Sequence, residues 1–332
     1  MRTLYVHVGP AKTGTSAIQH ALKGAQDEDP PIIYPLVGLS RGGSHNHLVA
    51  NLLGDQSRPD VARVAPQELL AQLRAAIGAN GRDVIISSEA LSGHQDMVRF
   101  IATLTGVFTG EVRVQWLIVC REHFARISSA YNQRVKDAWL REREPPDDFL
   151  RGRGAAFRYQ EIIRRLRQTG FPVSALSYHP AQTLVERFMQ HIGLPPERMP
   201  SAEQRNISLS AKGLVATLAA NNVAATATQR ERYFSTLRSM KRFFAPSKFI
   251  FSSAATREVA QRLQPDRDFL AARMGVVLPE PDTAPAEGGL YIDEREYAEI
   301  CAVTDSLGEE GAAIAAYAAG FKRAAAQVQG AH

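Results

Sequence analysis

The sequence predicts an α/β fold, a three-layer sandwich with a central, mostly parallel sheet of about five strands. Short apolar runs typical of buried strands alternate with helical patterns over the first two-thirds of the 332 residues. The first apolar run leads into a glycine-containing turn and then a helix. Alternation of this kind implies right-handed crossovers, which place helices on both faces of a parallel sheet.

Five segments have the length and apolar character of buried strands, and helical periodicity lies between and after them. The strands are predicted at Leu4–Val8, Ile32–Leu36, Val84–Ser87, Val112–Cys120 and Val173–Ser177. The helices are predicted at Ala17–Ala25, Pro66–Ile77, Gln95–Val107, His123–Leu140 and Ala181–Ile192. Ligands of such sheets bind beyond the carboxyl ends of the strands, so the residues that follow each strand are the candidate site residues.

The chain becomes mainly helical after Tyr178, and its composition predicts three consecutive parts. One large domain is expected over residues 1–278, followed by a Pro-, Glu- and Gly-rich linker at 279–290. Residues 291–332 are Ala-rich and are expected to form a helical extension.

Composition narrows the class of protein. The net charge of +5 is a mild bias towards anionic partners, and it is too small for a nucleic-acid-binding protein. Residues 121–167 carry eleven Arg and one Lys against seven acidic residues, so the basic excess is concentrated there. The two cysteines, Cys120 and Cys301, have no metal-ligand spacing, and no apolar run is long enough to span a bilayer. Without a signal-peptide pattern either, we expect a soluble, cytoplasmic protein.

The turn after the first strand has the residues of an anion site. It reads Gly-Pro-Ala-Lys-Thr-Gly-Thr-Ser over residues 9–16 and opens a helix. Unpaired amides at Gly14, Thr15 and Ser16 would face an anion at the positive end of the helix dipole. Lys12 would add a mobile cation, and Thr13, Thr15 and Ser16 would add hydroxyl donors.

The order of these residues separates two chemistries. A nucleoside-triphosphate loop reads GxxxxGK[ST], with the Lys after the last Gly and a Ser or Thr that holds Mg²⁺. Here Lys12 precedes Gly14, and no Gly-Lys-Ser/Thr follows. The segment from Pro10 to Ser16 resembles the 5′-phosphosulfate loop of the sulfotransferase family, whose usual sequence motif is P-K-T-G-T-T/S. Ala11 is an insertion relative to that motif, and this insertion is common in bacterial members. The resemblance implies a P-loop-like fold that binds the 5′-phosphosulfate group without a metal ion.

A second segment resembles the 3′-phosphate motif of the same family. Arg121 follows the strand Val112–Cys120, and Arg126, Ser129 and Tyr131 complete the pattern RxxxxRxxSxY. The resemblance implies that Arg121 and Ser129 bind the 3′-phosphate, whereas Arg126 and Tyr131 brace the helix. Glu122 and His123 stand where cytosolic members have Asn-Pro, which points to the bacterial and glycan-modifying branch.

Three weaker matches follow. Tyr178 ends the fifth strand, where a family tyrosine approaches the adenine; a tyrosine at the edge of the core is the alternative. The loop Gln204–Ser210 resembles a segment that folds over the nucleotide, although Ser208 or Ser210 as a helix N-cap is simpler. The stretch Arg230–Lys248 interleaves basic and aromatic residues. It is expected to be an amphipathic helix packed on the domain, with a glycan or membrane contact as the alternative.

Sulfuryl transfer needs a base, and three candidates follow predicted strands. His45 and His47 come after the second strand, and Glu89 follows the third. Histidine titrates nearest to neutrality, so His47 is the first choice and His45 the second. Glu89 is third because it would need burial to raise its pKa, or it would orient a histidine.

The resemblance implies transfer of a sulfuryl group from 3′-phosphoadenosine 5′-phosphosulfate to a hydroxyl or amine, with release of 3′-phosphoadenosine 5′-phosphate. A small molecule or a cell-surface saccharide is the expected acceptor, without nucleic acid and without a resident metal. Peripheral membrane contact stays open. The alternatives are a P-loop-type kinase of small molecules or nucleotides, disfavoured by the missing Gly-Lys-Ser/Thr, and a non-catalytic nucleotide-binding protein, disfavoured by Lys12 and Arg121.

Overall fold

The computed structural model describes residues 1–27, 29–55, 61–78, 81–194, 208–224, 226–238, 243–244, 250–281 and 289–323. The chain forms two compact units that interleave along the sequence. The first comprises Met1–Glu122, Arg158–Gln204 and Pro265–Glu280, and the second comprises His123–Phe157, Arg205–Gln264 and Pro281–His332. The sequence instead predicts consecutive parts with a linker at 279–290, most of which lies outside the described residues.

The first unit contains a five-stranded parallel sheet, which confirms the predicted fold class. Its strands are β1 (Arg2–Val8), β2 (Ile32–Ile33), β3 (Asp83–Ser88), β4 (Val112–Cys120) and β5 (Val173–Ser177). Their order is β2-β3-β1-β4-β5, and each neighbouring pair is parallel. The central strand β1 therefore ends between β3 and β4, so residues that follow these three strands meet at one edge of the sheet.

Helices cover both faces of this sheet because its strands alternate their apolar side chains between the faces. The helices of the first unit are α1 (Thr15–Gly24), α2 (Asn46–Leu53), α3 (Pro66–Ile77), α4 (Met97–Thr105), α7 (Tyr159–Arg167) and α8 (Leu184–His191). Leu4, Val6 and Val8 of β1 pack in one core with α2, α3, α4 and α7. Ile85 of β3 and Leu117 of β4 pack in the other core with α1 and α8.

Strand β2 is shorter than the sequence predicts, because the chain leaves the sheet after Ile33. The Tyr34 amide donates to Gln26 Oε1 at 2.9 Å, and Pro35 has no amide hydrogen to give to β3. The segment after β2, for which the sequence predicts no helix, forms α2. Leu48, Val49 and Leu52 give this helix a buried face, and Gly54 ends it in the left-handed conformation.

The second unit is helical over its described residues. It contains α5 (His123–Lys136), α6 (Pro146–Arg153), α9 (Ala211–Val223), α10 (Ala227–Arg238), α12 (Glu294–Thr304) and α13 (Glu309–Ala319). The helix α11 (Ser253–Met274) begins in the second unit and ends in the first. Helix α5 ends before the predicted Leu140, since Asp137 Oδ1 accepts the amides of Trp139 and Leu140 in a turn.

The basic and aromatic stretch from Arg230 is packed into the second unit where it is described. Tyr233, Phe234 and Phe243 are buried. The Arg230 guanidinium is also buried and donates to the carbonyls of Val135 and Lys136 at the end of α5. These contacts favour the amphipathic-helix interpretation. None of the helices in the described part of the chain is long and apolar enough to cross a membrane.

Candidate active site

The turn between β1 and α1 has the backbone geometry of an anion-binding loop. Lys12 and Gly14 have positive φ angles of 70° and 84°. Helical hydrogen bonding begins where the amides of Ala17 and Ile18 donate to the Gly14 carbonyl. The amides of Thr15 and Ser16 precede this point, so they have no acceptor in the helix and stay available to an anion.

Close packing fixes the shape of this loop. Thr13 Oγ1 donates to the Pro10 carbonyl at 2.7 Å and closes the turn from inside. A Cβ on Gly9 would lie 2.4 Å from the Thr15 side chain, and a Cβ on Gly14 would lie 2.3 Å from Leu184 Cδ2. A side chain at either glycine would force its neighbour to shift, and at Gly14 it would also have to adopt a positive φ angle that favours glycine.

One hydroxyl of the loop is buried without a hydrogen bond. Thr15 is 2% exposed, and its Oγ1 has no partner among the described residues. A buried polar group left unpaired costs about 1–3 kcal/mol. A phosphate or phosphosulfate oxygen held by the amides of Thr15 and Ser16 would satisfy it, so these residues fit an anionic ligand.

Arg121 joins the second motif to this loop. Its Nη1 donates to the Lys12 carbonyl at 3.0 Å. Its own main chain is held by Tyr159 of α7, whose hydroxyl accepts from the Arg121 amide and donates to the Arg121 carbonyl, both at 2.8 Å. Arg121 Nε is buried and has no partner within the described ranges. The guanidinium is thus fixed at the loop with donor capacity left over.

Tyr178 lies beside both motifs. The guanidinium carbon of Arg121 is 4.8 Å from the centre of the Tyr178 ring. The Tyr178 amide donates to the Cys120 carbonyl at 2.8 Å, which keeps the end of β5 level with the end of β4. Its ring also lies near Gly14, since a Cβ there would be 3.2 Å from Tyr178 Cε2. The predicted residues Lys12, Gly14, Arg121 and Tyr178 therefore meet in one place.

The charges around Lys12 act in opposite directions. Burial lowers the pKa of Lys12, and the Arg121 guanidinium lowers it further. The Glu89 carboxylate, at the end of β3, raises the pKa of Lys12 and so helps to keep the ammonium charged. Glu89 is accordingly part of the charged surroundings of Lys12.

His45 is locked into the fold. Its Nε2 lies 2.8 Å from the Pro35 carbonyl, and its Nδ1 accepts from the Ser87 amide at 3.1 Å. The imidazole is fully buried, and burial lowers its pKa to about 4. Both nitrogens are occupied in one neutral tautomer, so His45 ties the segment after β2 to β3 and has no nitrogen left for an acceptor.

His47 lies in the first turn of α2 and is partly exposed. The neighbouring Asn46 fixes this turn at the end of β3, because its Oδ1 accepts from Ser88 Oγ at 2.7 Å and from the Ala90 amide at 3.2 Å. His47 and Glu89 thus belong to segments that are joined at the carboxyl end of β3.

The remaining predicted residues lie in the second unit or outside the described residues. Ser129 lies on α5 and is partly exposed. Arg126 donates to the Phe157 carbonyl at 2.9 Å and Tyr131 to the Glu144 carbonyl at 2.7 Å, so both brace α5. Ser210 caps α9 by accepting the Gly213 amide. Arg205 lies outside the described residues.

Sequence reasoning missed two side chains that support this site. Tyr159 holds the main chain of Arg121 from 38 positions away, and no local pattern marks it. Arg187 of α8 donates to the carbonyls of Ser177, Tyr178 and Pro180 and fixes the turn after β5. The only sequence feature that could have indicated the role of Arg187 is its position as a basic residue on the predicted amphipathic helix after Tyr178.

Among the described residues no group of three or more His, Cys, Asp or Glu is placed to hold a metal ion.

Comparison with known proteins does not assign a family to this chain. No protein-family model matches the sequence, and no curated protein matches it. Among solved structures, a sulfotransferase from Alicyclobacillus acidocaldarius is similar to this chain, with 16% sequence identity and a TM-score of 0.42. The match covers 72% of this chain and 96% of the sulfotransferase chain.

Proposed function

We propose that this protein is a sulfotransferase that uses 3′-phosphoadenosine 5′-phosphosulfate. The observation that carries the proposal is the contact between the two motifs, in which Arg121 donates to the Lys12 carbonyl. Residues with separate matches to the 5′-phosphosulfate and 3′-phosphate motifs are thereby adjacent at the ends of β1 and β4. If the two segments were only a basic helix and a strand-to-helix turn, this specific contact between them would not be expected.

Each residue of the site has a role in this proposal. The amides of Gly14, Thr15 and Ser16 and the hydroxyls of Thr15 and Ser16 hold the 5′-phosphosulfate. Thr13 contributes chiefly by closing the turn, since its hydroxyl is engaged with Pro10. Arg121 and Ser129 bind the 3′-phosphate. Tyr178 contacts the adenine from beside Arg121.

The bound co-substrate supplies an activated sulfuryl group. In the transfer, the acceptor oxygen or nitrogen forms a bond to sulfur, and the bond between sulfur and the bridging phosphate oxygen breaks. Lys12 stabilises the negative charge that grows on the bridging and leaving oxygens. The acceptor proton passes to the base, and 3′-phosphoadenosine 5′-phosphate leaves.

His47 is the base in this proposal. The ring of His45 has both nitrogens occupied, whereas His47 is partly exposed in a turn fixed to the end of β3. Glu89 acts on Lys12, whose charge it favours. The acceptor is a small molecule or saccharide that presents a hydroxyl or amine, and a cell-surface saccharide is the class that the sequence resemblance favours.

Thermal stabilisation and turnover test the proposal together. We expect 3′-phosphoadenosine 5′-phosphate to raise the Tm more than ATP with Mg²⁺ does, because the loop has no Gly-Lys-Ser/Thr. We also expect ³⁵S transfer from the labelled co-substrate to at least one member of a panel of saccharides, phenols and lipids, unchanged by a chelator. Preferential stabilisation by ATP with activity lost on chelation would assign the protein to the kinases. Bisphosphate binding without transfer to any acceptor would favour a non-catalytic binding protein.

A further inference from the structure

The turn that follows β5 places a histidine beside the two phosphate motifs. His179 comes directly after Tyr178, and the two rings meet edge to face with centres 5.1 Å apart. The guanidinium carbon of Arg121 also lies against the Tyr178 ring, 4.8 Å from its centre. The imidazole and the guanidinium therefore flank the same tyrosine at the carboxyl ends of β5 and β4.

The backbone around His179 is held firmly. The Arg187 guanidinium donates to the carbonyls of Ser177, Tyr178 and Pro180 at 2.9, 3.3 and 3.1 Å. The His179 amide donates to Ser177 Oγ at 3.2 Å. Because the main chain on both sides of His179 is already held, a contact by its side chain requires no ordering of the turn.

Two nitrogens in this place have no hydrogen-bond partner among the described residues. His179 Nε2 is buried and unpartnered, and Arg121 Nε is buried and unpartnered in the same unit. Each unsatisfied group costs free energy in the absence of a ligand. A phosphate group offers acceptor oxygens of the kind that each of these nitrogens lacks, provided that the imidazole presents an N–H.

Burial and the charges that face His179 lower its pKa from the ordinary value of a histidine. Burial lowers the pKa of His179, the guanidinium groups of Arg121 and Arg187 lower it further, and the Glu122 carboxylate raises it. Arg121 follows β4, Glu122 follows Arg121, and Arg187 lies on α8. A phosphate dianion placed between Arg121 and His179 would oppose the two arginines and favour the imidazolium.

We propose that His179 is an additional ligand of the 3′-phosphate and takes up a proton when that phosphate binds. This inference rests on the proposed function, since it presumes that the nucleotide bisphosphate binds at Arg121. It makes recognition of the 3′-phosphate dependent on pH: the nucleotide is held more tightly in mild acid and released more easily as the pH rises.

Isothermal titration with 3′-phosphoadenosine 5′-phosphate tests the proposal. Titrations at one pH in two buffers of different ionisation enthalpy give the number of protons taken up on binding. The phosphates of the ligand titrate near pH 6 themselves. The quantity of interest is therefore the difference between the wild-type protein and His179→Gln, which has no titratable ring. His191→Gln is the matched control, because His191 is an exposed histidine at the end of α8.

We expect His179→Gln to take up fewer protons than the wild type and the His191→Gln control. The ratio of wild-type to variant affinity should fall as the pH rises from 6 to 8, by at most about tenfold per pH unit, the limit for one proton. With AMP, which has no 3′-phosphate, wild type and variant should behave alike. His179→Asn repeats the comparison should the Gln variant fail to fold.

The outcomes separate the two proposals. Wild-type protein that does not bind the bisphosphate would overturn both the proposed function and the role of His179. Binding with the same proton uptake and the same pH dependence in wild type and His179→Gln would leave the proposed function standing. It would also show that His179 is only a neighbour of the site.

Discussion

The guanidinium of Arg121 donates a hydrogen bond of 3.0 Å to the main-chain carbonyl of Lys12, from 109 positions further along the chain. Lys12 has a positive φ angle of 70°, a conformation that costs a non-glycine residue about 1–2 kcal/mol. The hydrogen bond from Arg121 helps to hold that conformation. The residue that is proposed to bind one phosphate thus also shapes the loop that is proposed to bind the other.

Lys12→Ala is expected to lower turnover more than it lowers nucleotide affinity. Its ammonium is proposed to stabilise charge that develops on the bridging and leaving oxygens, which is a contribution realised chiefly in the transition state. The kcat should fall by about 10²–10³-fold, the range for loss of one preorganised charge-stabilising group, with a much smaller change in the Kd of the bisphosphate. Lys23→Ala is the control, since Lys23 is exposed in the last turn of α1. Wild-type kcat at saturating co-substrate would exclude Lys12 from the role.

Arg121→Ala is expected to weaken binding of 3′-phosphoadenosine 5′-phosphate selectively. A hydrogen bond to a charged group contributes about 1.5–3 kcal/mol, which corresponds to roughly ten- to hundred-fold in affinity. Adenosine 5′-phosphosulfate has no 3′-phosphate and should lose less affinity, since it loses only what the hydrogen bond from Arg121 to the Lys12 carbonyl contributes to the shape of the loop. Ser129→Ala should follow the same pattern with a smaller loss. Arg113→Ala is the matched control, because Arg113 is an exposed arginine of β4, the strand that Arg121 follows. Calorimetry that shows equal losses for both ligands would reduce the second motif to a basic helix.

Gly14→Ala is expected to damage the loop beyond the effect of backbone strain. The added Cβ would lie 2.3 Å from Leu184 Cδ2, and the alanine would have to keep the backbone φ angle of 84°. Gly54→Ala separates the two effects, since Gly54 has a φ angle of 70° and open space around it. Both variants should lose about 1–2 kcal/mol in the free energy of unfolding from the conformational term. Only Gly14→Ala should lose more than that and also bind the bisphosphate weakly. Equal losses in the two variants would mean that Leu184 moves aside freely.

The sheet was predictable from sequence because each strand is a short, mainly apolar segment between turn signals. The strand β4 begins and ends where the apolar run from Val112 to Cys120 does, and α3 matches its predicted range of Pro66–Ile77. Helix α2 was missed because His45, Asn46 and His47 form a polar segment at its start. The apolar periodicity of Leu48, Val49 and Leu52, with Gly54 after it, was the sign that could have located it.

The two segments that resemble phosphate motifs could be recognised in the sequence because each resemblance is local, whereas the two candidate histidines could not be told apart. His45 and His47 are equivalent in a polar stretch of sequence, and both follow the same predicted strand. Only the fold separates them, since the Pro35 carbonyl and the Ser87 amide occupy the ring of His45. Tyr159 supports Arg121 through a contact between residues that are far apart in the sequence. No sequence pattern around either residue predicts this contact.

Buried neutral histidines are expected to make the protein sensitive to acid. Burial lowers the pKa of His7 to about 3 and that of His45 to about 4, whereas both would be near 6.5 in the unfolded chain. The unfolded state therefore binds more protons between these values, so stability is complete above about pH 6.5 and falls with decreasing pH down to about 4 for His45 and about 3 for His7. In denaturant titrations from pH 7 to pH 4, His45→Gln should show a shallower loss of stability than the wild type. His20→Gln, at an exposed histidine of α1, should keep the wild-type slope, and an unchanged slope in His45→Gln would contradict the expectation.

The pH dependence of turnover identifies the base. If His47 accepts the acceptor proton, His47→Ala should lower kcat by about 10²–10⁴-fold while the bisphosphate still binds. The rate of the wild-type protein should fall as the pH drops through the pKa of the base, and this acid limb should disappear in His47→Ala. Glu89→Gln should lower kcat less and keep the acid limb, because the carboxylate acts on the charge of Lys12.

His45→Ala distinguishes a structural histidine from a catalytic one. It leaves the Pro35 carbonyl and the Ser87 amide without the ring that satisfies them, so the free energy of unfolding should fall by about 1–3 kcal/mol. The acid limb of kcat should persist in whatever fraction of this variant is folded, because the proton acceptor is still present. The decisive comparison is the kcat profile of the three variants with one hydroxyl acceptor. If His47→Ala keeps the acid limb and Glu89→Gln abolishes it, the base is Glu89 and not His47.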